Sequence, residues 1–240
     1  MVIKLCPQLK NPLAALFAGV QLHPVREKGY LLYHLCYPSD KKRDRYLQSL
    51  PEAYTIVGRQ QPSEEFMFLL LQDTLRSTFQ KLGRRVSSRL RLTVVDPDMR
   101  YTSLVQNCLT RVNTITVATD DADGYLQLAQ KVAGQTGAVM AVTDIGSAMD
   151  GQREPLVINP SGVPLTGGAG RIVLGGGGGV PVLPSGCAGM DIDTAYCLYL
   201  DGQMGQGYLF CDELQVADRR RMGLSEFCSY VQKQCVDRVV

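Results

Sequence analysis

The chain has 240 residues, 45% of them hydrophobic and 20% charged, enough to bury one large core or a core with a smaller partner. Twenty-five basic against 23 acidic residues leave a formal charge of +2, which gives no reason to expect nucleic acid or an anionic membrane as partner. No apolar run approaches the roughly 18 residues that span a bilayer. Eight scattered cysteines without a C-x-x-C, beside only two histidines, point to reduced thiols, no metal and a cytoplasmic protein.

Residues 1 to 60 are punctuated by Pro7, Pro12, Pro24, Pro38 and Pro51. Leu13 to Val20 is a short apolar stretch behind Lys4 and Lys10. It has no small-x-small cleavage site after it, so a buried N-terminal segment is expected rather than a signal peptide. Gly29 to Tyr37 is rich in aromatic and aliphatic residues and reads as one strand or two. Pro38 to Arg45 carries mixed charge and reads as an exposed loop or helix start. Ser63 is a good N-cap, with Glu64 and Glu65 suited to the positive end of a helix. Phe68, Leu71, Leu75, Phe79 and Leu82 then recur as one buried stripe, which Gly83 stops.

From Arg89 short apolar strands alternate with helical patterns. The strands are expected at 90–95, 114–118, 138–142, 155–158 and 171–174. The helical faces are Leu104, Val105, Cys108, Leu109 and Val112, then Tyr125, Leu128, Ala129, Val132 and Ala133, ended by Gly137. Strand-helix-strand repeats mean right-handed crossovers and a parallel sheet. The fold class expected is α/β, a doubly wound, mostly parallel sheet. Residues 1–88 form an N-terminal α or α+β extension or small subdomain. Residues 89–240 form the main domain, including the glycine-rich 162–189. A final helix capped by Ser225 and carrying Phe227, Tyr230, Val231 and Cys235 packs back, with Cys228 and Cys235 on one face.

In such a sheet, ligands bind beyond the carboxyl ends of the strands, where the strand order reverses. The residues so placed are Asp96 and Asp98, Asp120 and Asp121, Thr143 and Asp144, Asn159 and Ser161, and the run Gly175 to Gly179. Arg89 to Leu174 resembles a Rossmann-type nucleotide-binding domain, of the sort in shikimate and amino-acid dehydrogenases. The resemblance is one of pattern. It implies an NAD(P) cofactor with its ribose on the acid after the second strand. Asp120, 22 positions past Asp98, meets the offset of about 20, and Asp121 is an equal candidate. The family's G-x-G-x-x-G is absent: the chain has Asp96-Pro-Asp-Met-Arg-Tyr-Thr-Ser103 instead. Arg100, Thr102 and Ser103 are the groups there that suit a phosphate. Asn159, Gly175 and Gly177 are the remaining cofactor-binding candidates, the glycines as a loop that closes near a nicotinamide.

Asp96, Asp98 and Asp144 also resemble the acidic pocket of response-regulator receiver domains, which implies a divalent cation; the family's lysine after the fifth strand is missing. No G-x-S-x-G elbow occurs, and Cys187 in Ser185-Gly-Cys-Ala-Gly189 reads as a plain loop cysteine. The expected function is therefore a degenerate Rossmann-like domain that binds a small molecule or a protein, without catalysis and with oligomers possible. The alternatives are an NAD(P)-dependent oxidoreductase with an unconventional phosphate site, and a receiver-like cation or phosphate site.

Overall fold

A computed structural model describes residues 1–8, 17–146, 156–165, 171–216 and 220–235. The chain forms two compact units, Met1–Phe66 with Gly186–Leu209, and Met67–Ser185 with Phe210–Val240. Each is therefore assembled from separated stretches of sequence.

The first unit is built on a four-stranded sheet of β1 (Val2–Pro7), β2 (Gln21–Glu27), β3 (Tyr30–Tyr37) and β4 (Thr55–Ile56), in the order β2-β3-β1-β4. Lys28 and Gly29, at φ 51° and 91°, make the two-residue turn between β2 and β3. Positive φ at both central positions matches the twist of an antiparallel pair. β1 runs parallel to both its neighbours. Alternation along the strands sends Ile3 and Leu35 to one face, where they meet Leu47 and Ile56. Leu47 comes from α1 (Asp40–Gln48), so the charged stretch after Pro38 is a helix that lays Leu47 and Tyr46 on the sheet core. A second helix of this unit, Ile192–Leu200, begins where the Asp191 carboxylate accepts from the Thr194 N–H at 2.9 Å and from its hydroxyl at 2.8 Å.

The expected burial of Leu13 to Val20 is corrected where it can be seen. Leu13 to Leu16 lie outside the described residues, and Phe17 is 90% exposed. Val20, at the end of the stretch, is the residue that packs on the sheet core.

The second unit is an α/β assembly around a large, mainly parallel sheet. A long helix, α2 (Glu64–Ser87), comes first, and Ser63 caps it by accepting the Phe66 N–H at 3.2 Å. The helix breaks at Gly83, whose φ of 70° leaves the helical region. There follow β5 (Arg91–Val95), α3 (Thr102–Leu109), β6 (Thr114–Ala118), α4 (Ala122–Thr136), β7 (Val139–Thr143), β8 (Leu156–Asn159), β9 (Ile172–Gly175) and β10 (Val180–Cys187). After β11 (Met190–Asp191) and the helix Ile192–Leu200, numbered α5, come β12 (Cys211–Val216), β13 (Arg221–Gly223) and α6 (Leu224–Cys235). Gly137 ends α4 in the left-handed region at φ 71°.

The strand order is β13-β12-β10-β9-β8-β5-β6-β7, with β11 paired to β10. The pairings from β7 through β6, β5, β8 and β9 to β10 are parallel. The chain therefore steps outward one way through β6 and β7, and the other way through β8, β9 and β10. The reversal lies between β5 and β8.

Helices α2, α3, α4 and α6 all feed one core with Leu92, Ile115, Leu156 and Ile172. On the opposite face Val95, Ala118, Val157 and Val173 pack against Leu165 and Val163 of the stretch after β8. A doubly wound sheet calls for helices on both faces, and among the described residues the second face has a loop in that place. The reason is in the connections. Two successive right-handed crossovers in one direction put α3 and α4 on one side. On the opposite side, the connection from β9 to β10 is the four glycines 176–179, too few to make a helix. Cys187, expected in a loop, is fully buried at the end of β10. The side chain of Cys235, like Gly167 to Gly170, lies outside the described residues. No helix among the described residues is long and apolar enough to cross a membrane.

The far edge of the sheet is held by one buried carboxylate. Asp73 on α2, 4% exposed, accepts the Cys211 N–H at 2.9 Å and pairs with Arg76. Asp73→Ala removes the side-chain acceptor of that N–H, at a cost of about 2 kcal/mol, while Asp73→Asn keeps an acceptor. Urea unfolding of the two variants is expected to separate them, and equal stability would remove Asp73 as the anchor of β12.

Candidate functional site

The site is built outward from the carboxyl end of β5. Asp96 extends the strand ladder by one bond, its N–H donating to Ala118 O at 2.9 Å, before Pro97 ends the pairing. The Asp96 side chain is wholly buried. Its Oδ2 accepts the Tyr101 N–H at 2.8 Å and the Tyr125 hydroxyl, while Oδ1 is buried with no hydrogen-bond partner among the described residues. Tyr101 is the residue at the head of α3. A helix head presents free N–H groups and a partial positive charge, which is why anions settle there. Here the Asp96 carboxylate takes the N–H of Tyr101, the residue just before the first turn of α3.

Tyr125 fixes the chemistry of that carboxylate. Burial, the hydrogen bond to Asp96 and the charges of Asp96 and Asp98 push its phenol well above the usual range. It stays protonated at physiological pH and acts as a donor, not as a general base. In the sequence Tyr125 reads only as part of a helix face. The signal that could have found it is a phenol on a stripe otherwise made of Leu128 and Val132, because a buried hydroxyl needs a partner.

The other candidates fall into three places. Arg100 is exposed, with its guanidinium carbon 5.8 Å from the centre of the Tyr101 ring, and Thr102 and Ser103 occupy the first turn of α3. Asp120 and Asp121 follow β6. The Asp120 N–H donates to Pro97 O at 3.1 Å, which ties this end to the turn after β5, and its side chain is exposed. Asp121 acts locally, its Oδ1 accepting the Gly124 N–H at 3.1 Å to cap α4. Asn159, Gly175 and Gly177 come together beside the reversal, since β8 pairs with β9 in a register that sets Asn159 opposite Gly175.

Asn159 is fully buried and uses its amide on both sides. Nδ2 donates to Val163 O at 2.9 Å and to Gly176 O at 2.6 Å, and Oδ1 accepts the Ser161 hydroxyl at 3.0 Å. A Cβ on Gly175 would stand 2.2 Å from Asn159 O, and one on Gly177 would stand 2.0 Å from Val163 O. The glycines are therefore needed for backbone to lie against backbone. Asp98 and Asp144 are both exposed, and among the described residues no three His, Cys, Asp or Glu side chains converge to hold a metal ion.

The second unit also has an open cleft of about 420 Å³ away from the reversal, lined by Ser77, Gln80 and Lys81 of α2, Phe210, Cys211 and Asp212, and Gly223, Leu224 and Ser225. Lys81 Nζ donates to Ser225 Oγ at 2.7 Å across it, and the Phe210 ring is 49% exposed.

Two contrasts test this geometry. Asp96→Ala removes the acceptor of the Tyr101 N–H and of the Tyr125 hydroxyl, at a cost of about 3 kcal/mol, whereas Asp96→Asn keeps an acceptor and loses about 1 kcal/mol of charge at the helix head. Gly175→Ala meets both the Asn159 carbonyl and a φ of 114°, and is expected to lower stability by about 2 kcal/mol or more. Gly176→Ala, with Gly162 Cα at 3.5 Å and no positive φ, is expected to fall within about 0.5 kcal/mol of the parent. Chemical denaturation reads all four, and equal effects at 175 and 176 would refute the close approach.

No protein-family profile matches this chain, and no curated protein matches it in sequence. Among solved structures it is similar to the Thermococcus litoralis Δ1-pyrroline-2-carboxylate reductase in complex with NADH and L-proline, at 12% identity and a TM-score of 0.31. The match covers 67% of this chain and 59% of the reductase, so the chain spans less than two thirds of that protein's length.

Proposed function

We propose that this chain is a Rossmann-like binding protein whose switch-point crevice is filled by its own residues, and that it does not carry out hydride transfer. The observation that carries the reading is the buried Asp96 carboxylate at the head of α3. A dinucleotide pyrophosphate needs that helix head free and glycine backbone around it. Here the seat holds a carboxylate, which repels a second anion. Support also comes from Asn159 and the glycine run, which spend their polar groups and their space on each other. The strand order 7-6-5-8-9-10 supports a Rossmann-like ancestry.

The surface that this reading favours for a small ligand is the cleft beside Lys81 and Phe210. Its volume of about 420 Å³ lies within the range usual for small-molecule sites, and it pairs an apolar rim with an ammonium. The NAD(P) oxidoreductase remains the second reading because Asp120 presents an exposed carboxylate at the end of β6, the place for a ribose. The receiver-like reading has no converging carboxylates in its favour among the described residues.

Thermal unfolding against NAD⁺, NADH, NADP⁺ and NADPH separates the first two. Saturation at 100 times Kd adds about 2.7 kcal/mol, a shift of several degrees for a protein of this size. No shift with any of the four is expected. A shift that disappears in Asp120→Ala would establish the oxidoreductase reading and overturn ours. A fragment screen by ligand-observed NMR is expected to give hits that weaken in Lys81→Ala.

A further inference from the structure

We propose that Cys6 and Cys36 form a reversible disulfide across β1 and β3, making this pair a thiol-modification site for low-molecular-weight disulfides. The two residues are direct partners in the parallel register of the first unit, and both are half-buried. Neighbouring strands lie about 4.8 Å apart, within the roughly 4.4–6.8 Å between Cα atoms that a disulfide spans. Cys108, Cys187, Cys197, Cys211 and Cys228 are all buried, so reagents in solution have least access to them.

The surroundings set the rate of exchange. Lys4, Cys6, His34 and Cys36 share one face of the sheet, with Lys4 opposite His34 in register. Glu27 reaches across from β2, 3.1 Å from His34 Nε2 and 3.7 Å from Lys4 Nζ. Burial and the Cys36 sulfur push the Cys6 thiol up, with a further push from Glu27, and Lys4 pulls the other way. The Cys6 thiol donates weakly to Lys4 O at 3.8 Å. Because the thiolate is the nucleophile, exchange speeds up as pH rises.

The step balances with an oxidant of the glutathione-disulfide class. One cysteine thiolate attacks the small disulfide, breaks its S–S bond and releases one small thiol, leaving a mixed disulfide on the protein. The facing cysteine, after giving its proton to solvent, attacks the protein sulfur of that mixed disulfide and releases the second small thiol. The protein loses two electrons and two protons, and the small disulfide gains both.

The test is incubation of the whole protein with glutathione disulfide, alkylation of remaining thiols, and tryptic digestion without reductant. The peptides Leu5–Lys10 and Gly29–Lys41 are expected to appear joined by mass spectrometry, and to separate after dithiothreitol. Cys6→Ser is expected to stop the cross-link and leave glutathione held on Cys36. Both peptides recovered fully alkylated, or carrying glutathione without the cross-link in the parent protein, would overturn the proposal. The parent digest decides the matter even where the variant fails to fold.

Discussion

One buried carboxylate organises the parallel core. Asp96 draws the Tyr101 N–H at the head of α3 and the Tyr125 hydroxyl of α4 onto a single oxygen at the end of β5. Those two helices are the crossovers that carry the chain from β5 to β6 and from β6 to β7. Their placement over the sheet therefore converges on one side chain. A charge in a wholly buried place is costly unless donors surround it, and Asp96 has two donors together with the positive end of a helix. The second oxygen has no partner among the described residues. Such a group suits a position that geometry holds tightly.

Across the strand reversal the same space is closed by a different device. Asn159 bridges two carbonyls, and Gly175 and Gly177 let the backbone after β9 lie against the stretch after β8. Consecutive glycines raise the entropy of the unfolded chain, so their use has to be justified by contacts that a Cβ would forbid. Those contacts exist here, with carbonyl oxygens at 2.2 and 2.0 Å from the would-be Cβ atoms. We read both sides of the crevice as filled from within, one by an anion and the other by backbone. In the function we propose, a place that could receive a phosphate has become a packed seam, which moves the search for a binding surface to the cleft at the other edge.

Much of the local structure was legible. The alternation from Arg89 to Thr143 marked strand-helix-strand-helix-strand in the right places, because each element is short, periodic and bounded by Gly83, Gly137 or a polar turn. Ser63 caps its helix as its side chain dictates. The four-stranded sheet of the first unit was only partly visible. Its strands are short, its β4 has two residues, and the Lys28-Gly29 turn carries a lysine at positive φ where glycine or asparagine is the usual signal. The strand Val180–Cys187 was hidden by Pro181 and Pro184, residues that local reading assigns to loops.

The sequence by itself determined which stretches are strands and helices in the α/β region, since hydrophobic period and capping chemistry act within a few residues. It also determined that no dinucleotide glycine motif follows β5. Only the tertiary structure decided that Asp96 faces Tyr125 and the head of α3. Only it paired Cys6 with Cys36, and only it placed the described helices of the parallel sheet on one face. These depend on strand order and register, which are set by the packing of residues far apart in the chain. Local periodicity carries no record of such distances, so a carboxylate after a strand looks the same on paper whether it binds a ligand or takes a ligand's place.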